Sequence, residues 1–195
     1  MTNNATLCGE VVNLPALSHE SHGVTLYRCL LSVPRLSGNL DVLPLLFPEN
    51  LKDKMRGEVT VTGQIRGYTI QGEDRRHLQI CILVKQVEEM EKERDNNRIE
   101  LTGELYKEPY YRKTPLGREI ADLTLRVSRP YSGTDFIPCV VWGKCAAFCR
   151  HLRKGAFLQV AGRLQSREYR KVTEEGEEEK TAYELSVNRL NVLSY

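Results

Sequence analysis

The feature that most constrains this 195-residue chain is that it carries one pattern twice. Leu7-Cys8-Gly9-Glu10 is followed by Pro15, Gly23 and Leu31-Ser32-Val33-Pro34-Arg35. Leu101-Thr102-Gly103-Glu104 is followed by Pro109, Gly117 and Leu125-Arg126-Val127-Ser128-Arg129, each position 94 residues further on. Each copy then repeats a basic-Gly pair and a V-x-G motif. These are Arg56-Gly57 with Val61-Thr62-Gly63, and Lys154-Gly155 with Val160-Ala161-Gly162. A period of that length is a whole domain, so the sequence reads as a duplicated domain whose copies have diverged.

Composition narrows the class. Charged residues make up 28%, and no stretch approaches the roughly 20 consecutive apolar residues of a membrane-spanning helix. The first six residues have neither the basic start nor the apolar stretch of a signal peptide. The six cysteines, Cys8, Cys29, Cys81, Cys139, Cys145 and Cys149, lie mostly in apolar, strand-like sequence and are expected to be buried thiols. Cys145 and Cys149 stand four apart near His151, but no CxxC spacing accompanies them, so no metal site is expected. Charge is uneven. Residues 1–95 hold 11 Lys+Arg against 13 Asp+Glu, net −2; residues 96–195 hold 17 against 13, net +4. Five of those last 13 acids fall in Glu174–Glu179, which reads as a solvated loop, so the rest of the second copy is strongly basic and suits a polyanion.

Strand signals dominate. In the second copy they follow Leu101–Leu105 with Ile120–Val127, Phe136–Trp142, Phe157–Leu164 and Tyr183–Val192. The stretch 143–152 is the one clear helix there, ended by Arg153-Lys154-Gly155. In the first copy strands are expected over 6–13, 25–34, 41–47, 58–69 and 77–87, with 48–55 in the helix position. Three strands, a short helix and two strands are the order of an OB-fold, a five-stranded barrel. The expected fold is therefore all-β, two tandem OB-fold domains: residues 1–90, a charged linker 91–97, and residues 98–195.

The second copy resembles the bacterial single-stranded DNA-binding protein family. The resemblance is carried by Leu101–Leu105, by Glu108-Pro109-Tyr110-Tyr111-Arg112-Lys113-Thr114-Pro115-Leu116-Gly117 and by 134–144. It continues through Leu152–Gly155 and Val160-Ala161-Gly162-Arg163-Leu164-Gln165-Ser166-Arg167-Glu168-Tyr169. It implies a binder of single strands whose aromatic side chains are stacking platforms: Phe136, Trp142 and Tyr169, with Tyr131 a further position. Stacking on such platforms is sequence-tolerant and contributes about 1–3 kcal/mol per base. Phe136 and Trp142 are six residues apart, which in a strand sets both on one face. The phosphate-contact candidates are Arg112, Lys113, Arg126, Arg129, Lys144, Arg163 and Arg167, with Arg118, Arg170 and Lys171 behind them.

The chain departs from the family in four ways. In the first copy Val42 stands where Phe136 does and Pro48 where Trp142 does, while Tyr27 and Tyr68 remain, so this copy is expected to bind weakly or serve as a structural unit. The loop between strands two and three is short in both copies, implying a smaller footprint. The acids at 174–179 would repel a phosphate backbone. No acidic, aromatic-tipped tail follows the last strand, so recruitment of partners through such a tail is not expected.

The leading expectation is a non-enzymatic single-stranded DNA-binding protein of replication, recombination or repair, cytoplasmic and nucleoid-associated, needing no cofactor. By the resemblance it forms a homodimer that brings four OB folds together. The alternatives are a primosome-type or mobile-element adaptor that docks proteins, and a single-stranded RNA binder. No GxSxG, HExxH or phosphate-loop motif points to catalysis.

Overall fold

The computed structural model describes residues 1–71, 76–90, 97–130, 133–173 and 176–194, with side chains described for these except 70–71, 76–77 and 171–173. The first copy supplies β1 (Asn3–Val11), β2 (Ala16–Ser21), β3 (Val24–Pro34), β4 (Leu40–Pro48), a 3₁₀ turn (Glu49–Lys54), β5 (Glu58–Gln71) and β6 (Arg76–Glu89). The second supplies β7 (Asn97–Leu105), β8 (Tyr110–Lys113), β9 (Glu119–Ser128), β10 (Thr134–Trp142), α1 (Gly143–Cys149), β11 (Phe157–Thr173) and β12 (Gly176–Ser194). The all-β OB-fold expectation holds. Two elements were not anticipated: β2 and β8 are short strands that fold back on β3 and β9. They were hidden because Leu17-Ser18-His19-Glu20 and Tyr110-Tyr111-Arg112-Lys113 lack period-2 apolar alternation. As edge strands they have no buried face that would require it.

Each copy closes on itself. β1 pairs with both β5 and β3, and β7 with both β11 and β9. β4 runs parallel to β6 at Leu45–Leu46, and β10 parallel to β12 at Cys139–Val141. The V-x-G glycines make this curvature possible. Gly63 and Gly162 each follow a register shift in the β5–β6 and β11–β12 ladders, and a Cβ on either would lie 2.1 Å from a carbonyl oxygen of the facing strand. Alternation then fills the barrels. In β10, Ile137, Cys139 and Val141 point inward, and in β4, Leu43, Leu45 and Phe47 do the same.

The copies join about a near-two-fold relation. β1 and β7 pair antiparallel, and Ala5 faces Ile99, its own counterpart 94 residues on. This is the self-complementary pairing of a symmetric dimer, here within one chain, and it makes a single 12-stranded sheet. Equivalent side chains repeat the relation. The Asn3 amide bonds both backbone groups of Ile65, and the Asn97 amide bonds both backbone groups of Leu164. Asn97, at the end of the expected linker, is thus the buried first residue of β7.

Two carboxylates lock the seams. Asp41 and Asp135 are both 0% exposed, on the inward parity of β4 and β10. Asp41 receives the Arg35 guanidinium and, from the other copy, the backbone N–H and hydroxyl of Ser166. Asp135 receives Arg129 and, from the other copy, the Gly67 N–H and Arg66. Removing one partner of a buried, hydrogen-bonded pair costs about 3–5 kcal/mol, because the other charge is left uncompensated.

Burial holds the thiols protonated. Cys29, Cys81 and Cys149 are pushed up to about 12, with loss of solvent the largest cause at each, and Cys139 is raised by the same effect. No helix among the described residues is long and apolar enough to cross a membrane. Urea denaturation of Asp41→Ala and Asp135→Ala is expected to show losses of about 3–5 kcal/mol each. Leu36→Ala, on a fully exposed loop residue, should stay within about 0.5 kcal/mol.

Candidate nucleic-acid interface

The strand registers line up one outward face. On β10 the residues opposite in parity to the core are Phe136, Pro138, Val140 and Trp142. Across from them on β9 stand Arg126, Thr124, Asp122 and Ile120. Beyond Asp122 and Ile120, β8 places Tyr110 and Arg112, and beyond Arg126, β7 places Glu104. Trp142, Ile120 and Arg112 therefore form one row, and Phe136, Arg126 and Glu104 another.

Trp142 is 44% exposed, although indole is among the most apolar of side chains. It ends β10 at the residue before α1, and the chain turns there through Gly143 at φ +61°, a conformation open to glycine. Phe136 is half-buried beneath Tyr106, whose ring meets it edge-on at 4.7 Å between centroids. Tyr106 is 48% exposed, and its backbone N–H is tied to the Thr124 carbonyl. Tyr169, further along β11 and 39% exposed, has the Arg167 guanidinium 5.8 Å from its ring centre. Tyr131 lies outside the described residues.

The basic candidates separate into three groups. Arg112, Arg126 and Arg167 lie on the aromatic face, each beside one acid: Asp122 at 3.2 Å, Glu104, and Glu184 at 3.8 Å. Lys113 and Lys144 are exposed at its margin and form no ion pair among the described residues. Arg129 and Arg163 belong to the seams. Arg129 is held by Asp135, which raises its pKa through the hydrogen bond first and charge after. Arg163 donates to the Pro34 carbonyl of the other copy, with its Nε buried and unpartnered. Arg118 is exposed on the β8–β9 loop, Arg170 lies within reach of Glu177 and Glu179, and the Lys171 side chain is not described.

The described acids of the run, Glu177 to Glu179, are strand and not loop. Glu177, Glu178 and Glu179 are strand residues of β12, facing Val172, Lys171 and Arg170 across the ladder. Arg170 reaches Glu177 at 3.6 Å and Glu179 at 3.8 Å, and Lys180 reaches Glu178 at 2.9 Å. Cross-strand pairing of opposite charges favours the strand and tempers the field these acids present. Glu174 and Glu175 lie outside the described residues.

Tyr106 and Glu184 were missed by sequence reasoning. Tyr106 had a usable signal, since the first copy has Val12 at the same place. Glu184 had none, because its neighbours come from β8, β9 and β11. Its carboxyl is raised chiefly by lost solvation and further by Asp122, against the lowering effects of Arg167 and Arg112. The corresponding face of the first copy is apolar: Val42, Pro44, Leu46 and Pro48 run along β4, and Arg28 replaces Asp122. Tyr27 is turned to Phe47 and Lys52, and Tyr68 is 39% exposed.

A barrel of this topology, with aromatics and arginines sharing one open sheet face, is an OB-fold. The profile described as the single-strand binding protein family matches residues 96–193, half of the chain, and the chain belongs to that family. Among curated relatives, a single-stranded DNA-binding protein of Halalkalibacterium halodurans is 44% identical over 80 residues, covering 37% of this chain and 48% of its own length. Single-stranded DNA-binding protein 3 of Listeria innocua is 42% identical over 94 residues, covering 45% and 56%. The chain thus spans about half the length of the curated relatives it matches. In structure, the wild-type single-stranded DNA binding protein of Thermus aquaticus superposes with a TM-score of 0.76 at 20% identity, covering 100% of this chain and 94% of that one. That likeness extends the fold match across both copies.

Glu184 gives a signed prediction. Below its ordinary value of 4.5 the carboxyl is neutral folded and unfolded. As pH rises past that value the unfolded chain ionises first, so stability falls until the folded group also ionises. Glu184→Gln is therefore expected to be more stable than the parent at neutral pH, with the advantage vanishing in acid, as read from urea midpoints across that range.

Proposed function

We propose that the chain is a non-enzymatic single-stranded DNA-binding protein of replication, recombination or repair, and that the 98–195 unit carries most of the binding. On this reading residues 1–90 form the other OB unit, and the joining segment ends before Asn97, the first residue of β7. The observation that supports it most is the exposed Trp142, in a sheet row with Arg112 and on the same face as Phe136 and Tyr106. An indole left open to water on a face that also carries guanidiniums suits a flat, anionic partner. Bases stack on Trp142, Tyr106 and Phe136 while phosphates approach Arg112, Lys113, Arg126, Lys144 and Arg167.

The acids beside these arginines shape the affinity. Exposed ion pairs contribute only about 0–1 kcal/mol, so a phosphate displaces the carboxylate at small cost and inherits an arginine already oriented. Base preference is expected to be weak, because stacking uses the flat face that every base has. Pairing in four-domain assemblies, implied by the family resemblance, further supports a homodimer of the 22.3 kDa chain.

Trp142 is the sole tryptophan, so its fluorescence reports directly. Oligo-dT is expected to quench it and duplex DNA to leave it nearly unchanged. Affinity should fall with salt at a log–log slope of about −0.7 per phosphate neutralised. Trp142→Ala is expected to weaken binding by about 1–3 kcal/mol. Absence of both quenching and a gel shift at low salt would overturn the reading. Sedimentation should give twice the chain mass, and a monomer at micromolar concentration would count against the dimer.

A further inference from the structure

The arginines of the aromatic face each have an acid of their own, whereas at one seam between the copies two guanidiniums share a single carboxylate. At that seam two guanidiniums, Arg66 from β5 and Arg129 from the end of β9, converge on the single carboxylate of Asp135. Asp135 also accepts the Gly67 N–H. The remaining Arg66 bond goes to the neutral side-chain oxygen of Gln64. Two cations and one anion leave a surplus of one positive charge. The guanidiniums border an open cleft of about 360 Å³, with Gln64, Ser128 and Pro130 around them and no other acid among its lining residues.

The cleft lies where the aromatic row ends. Phe136 directly follows Asp135 on β10, and β5 crosses there so closely that a Cβ on Gly67 would be 2.8 Å from the Phe136 carbonyl oxygen. Trp142 to Phe136 is six residues of strand, about 20 Å. The next position beyond Phe136 on that face is Thr134, whose partner Ser128 lines the cleft, while Asp135, Arg129 and Arg66 meet the cleft from the opposite parity. The other seam also holds two guanidiniums and one carboxylate, but they do not converge: Arg35 binds Asp41, while Arg163 donates to the Pro34 carbonyl. Gln165 occupies the position of Arg66, and Asp41 is shared between Arg35 and the uncharged Ser166.

We propose that this cleft is a backbone-phosphate site, in which Arg66 of the first copy and Arg129 of the second together hold a strand leaving the aromatic row. The first copy then contributes to binding through one seam arginine, not through stacking. The inference rests on the single-strand-binding reading, and oligonucleotide length separates the two. Oligo-dT of about 4 and about 16 nucleotides, the limits for one OB fold, are titrated against Trp142 fluorescence at several salt concentrations. Arg66→Gln is expected to shorten the salt slope by about 0.7 for the long oligonucleotide and to leave the short one unchanged. Saturating quench should be the same as in the parent. Arg66→Lys should restore the long-oligonucleotide slope, because a lysine supplies the charge without the fork.

An unchanged slope with the long oligonucleotide, an equal loss at both lengths, or a lysine variant that behaves like glutamine would each overturn the proposal. Ser128→Glu tests it independently if Arg66→Gln fails to fold. It adds a carboxylate at the exposed rim, touches no bond to Asp135, and should weaken only the long oligonucleotide. If the parent protein is not quenched by either length, the functional reading fails, not this site alone.

Discussion

Two buried carboxylates and the strand pairing between them hold the architecture together. β1 and β7 meet as an internal two-fold pair, and without that ladder the 12-stranded sheet separates into its two halves. The ladder leaves the outer ends of the seams open, and Asp41 and Asp135 close them. Each reaches from the third long strand of its own barrel to the backbone of the other barrel's fourth, at Ser166 and Gly67. A carboxylate removed from water must be fully bonded, so these positions tolerate little rotation. The copies are consequently fixed in angle, and one open sheet face is set at a defined position against the other.

Symmetric joining has allowed asymmetric surfaces. The buried layers of the copies correspond nearly residue for residue, from Asn3 and Asn97 to the two V-x-G bulges. The outward faces do not. Where the second copy carries Phe136, Trp142 and Tyr106, the first carries Val42, Pro48 and Val12. A barrel's stability depends on its inner layer, so its outer layer is free to change so long as it stays solvated or covered. Divergence in this chain followed that division. Exposed aromatic side chains stand on one side, while the other has the strands, the bulge glycines and an arginine at the seam.

Much of this was legible in the sequence, and what was not has identifiable causes. Glycine spacing and inward alternation announced the duplicated barrel, because sterics and burial act locally. The parity of Phe136 and Trp142 put both on one face, and the structure places them there. Asp41 and Asp135 repeat at the same 94-residue offset as the glycines, yet a lone acid next to a strand reads as surface. Their burial depends on partners in the other copy. Arg129 and Arg163 share that difficulty: position along the chain made them look like free cations, while their contacts cross the seam. β2 and β8 lacked an apolar rhythm because edge strands need none. The acids Glu177–Glu179 looked like a loop because like charges crowd together, but the bases that pair with them lie on the opposite strand.

The central claim is that a single strand lies across β8–β10 of the second copy and not across β2–β4 of the first. Photocross-linking with oligo-dT carrying 5-iodouracil, followed by peptide mapping, tests it most directly, because the halogenated base couples to the aromatic ring it stacks on. Cross-links are expected on peptides containing Tyr106, Phe136 or Trp142. A pattern dominated by Tyr27 or Tyr68 of the first copy would contradict the account.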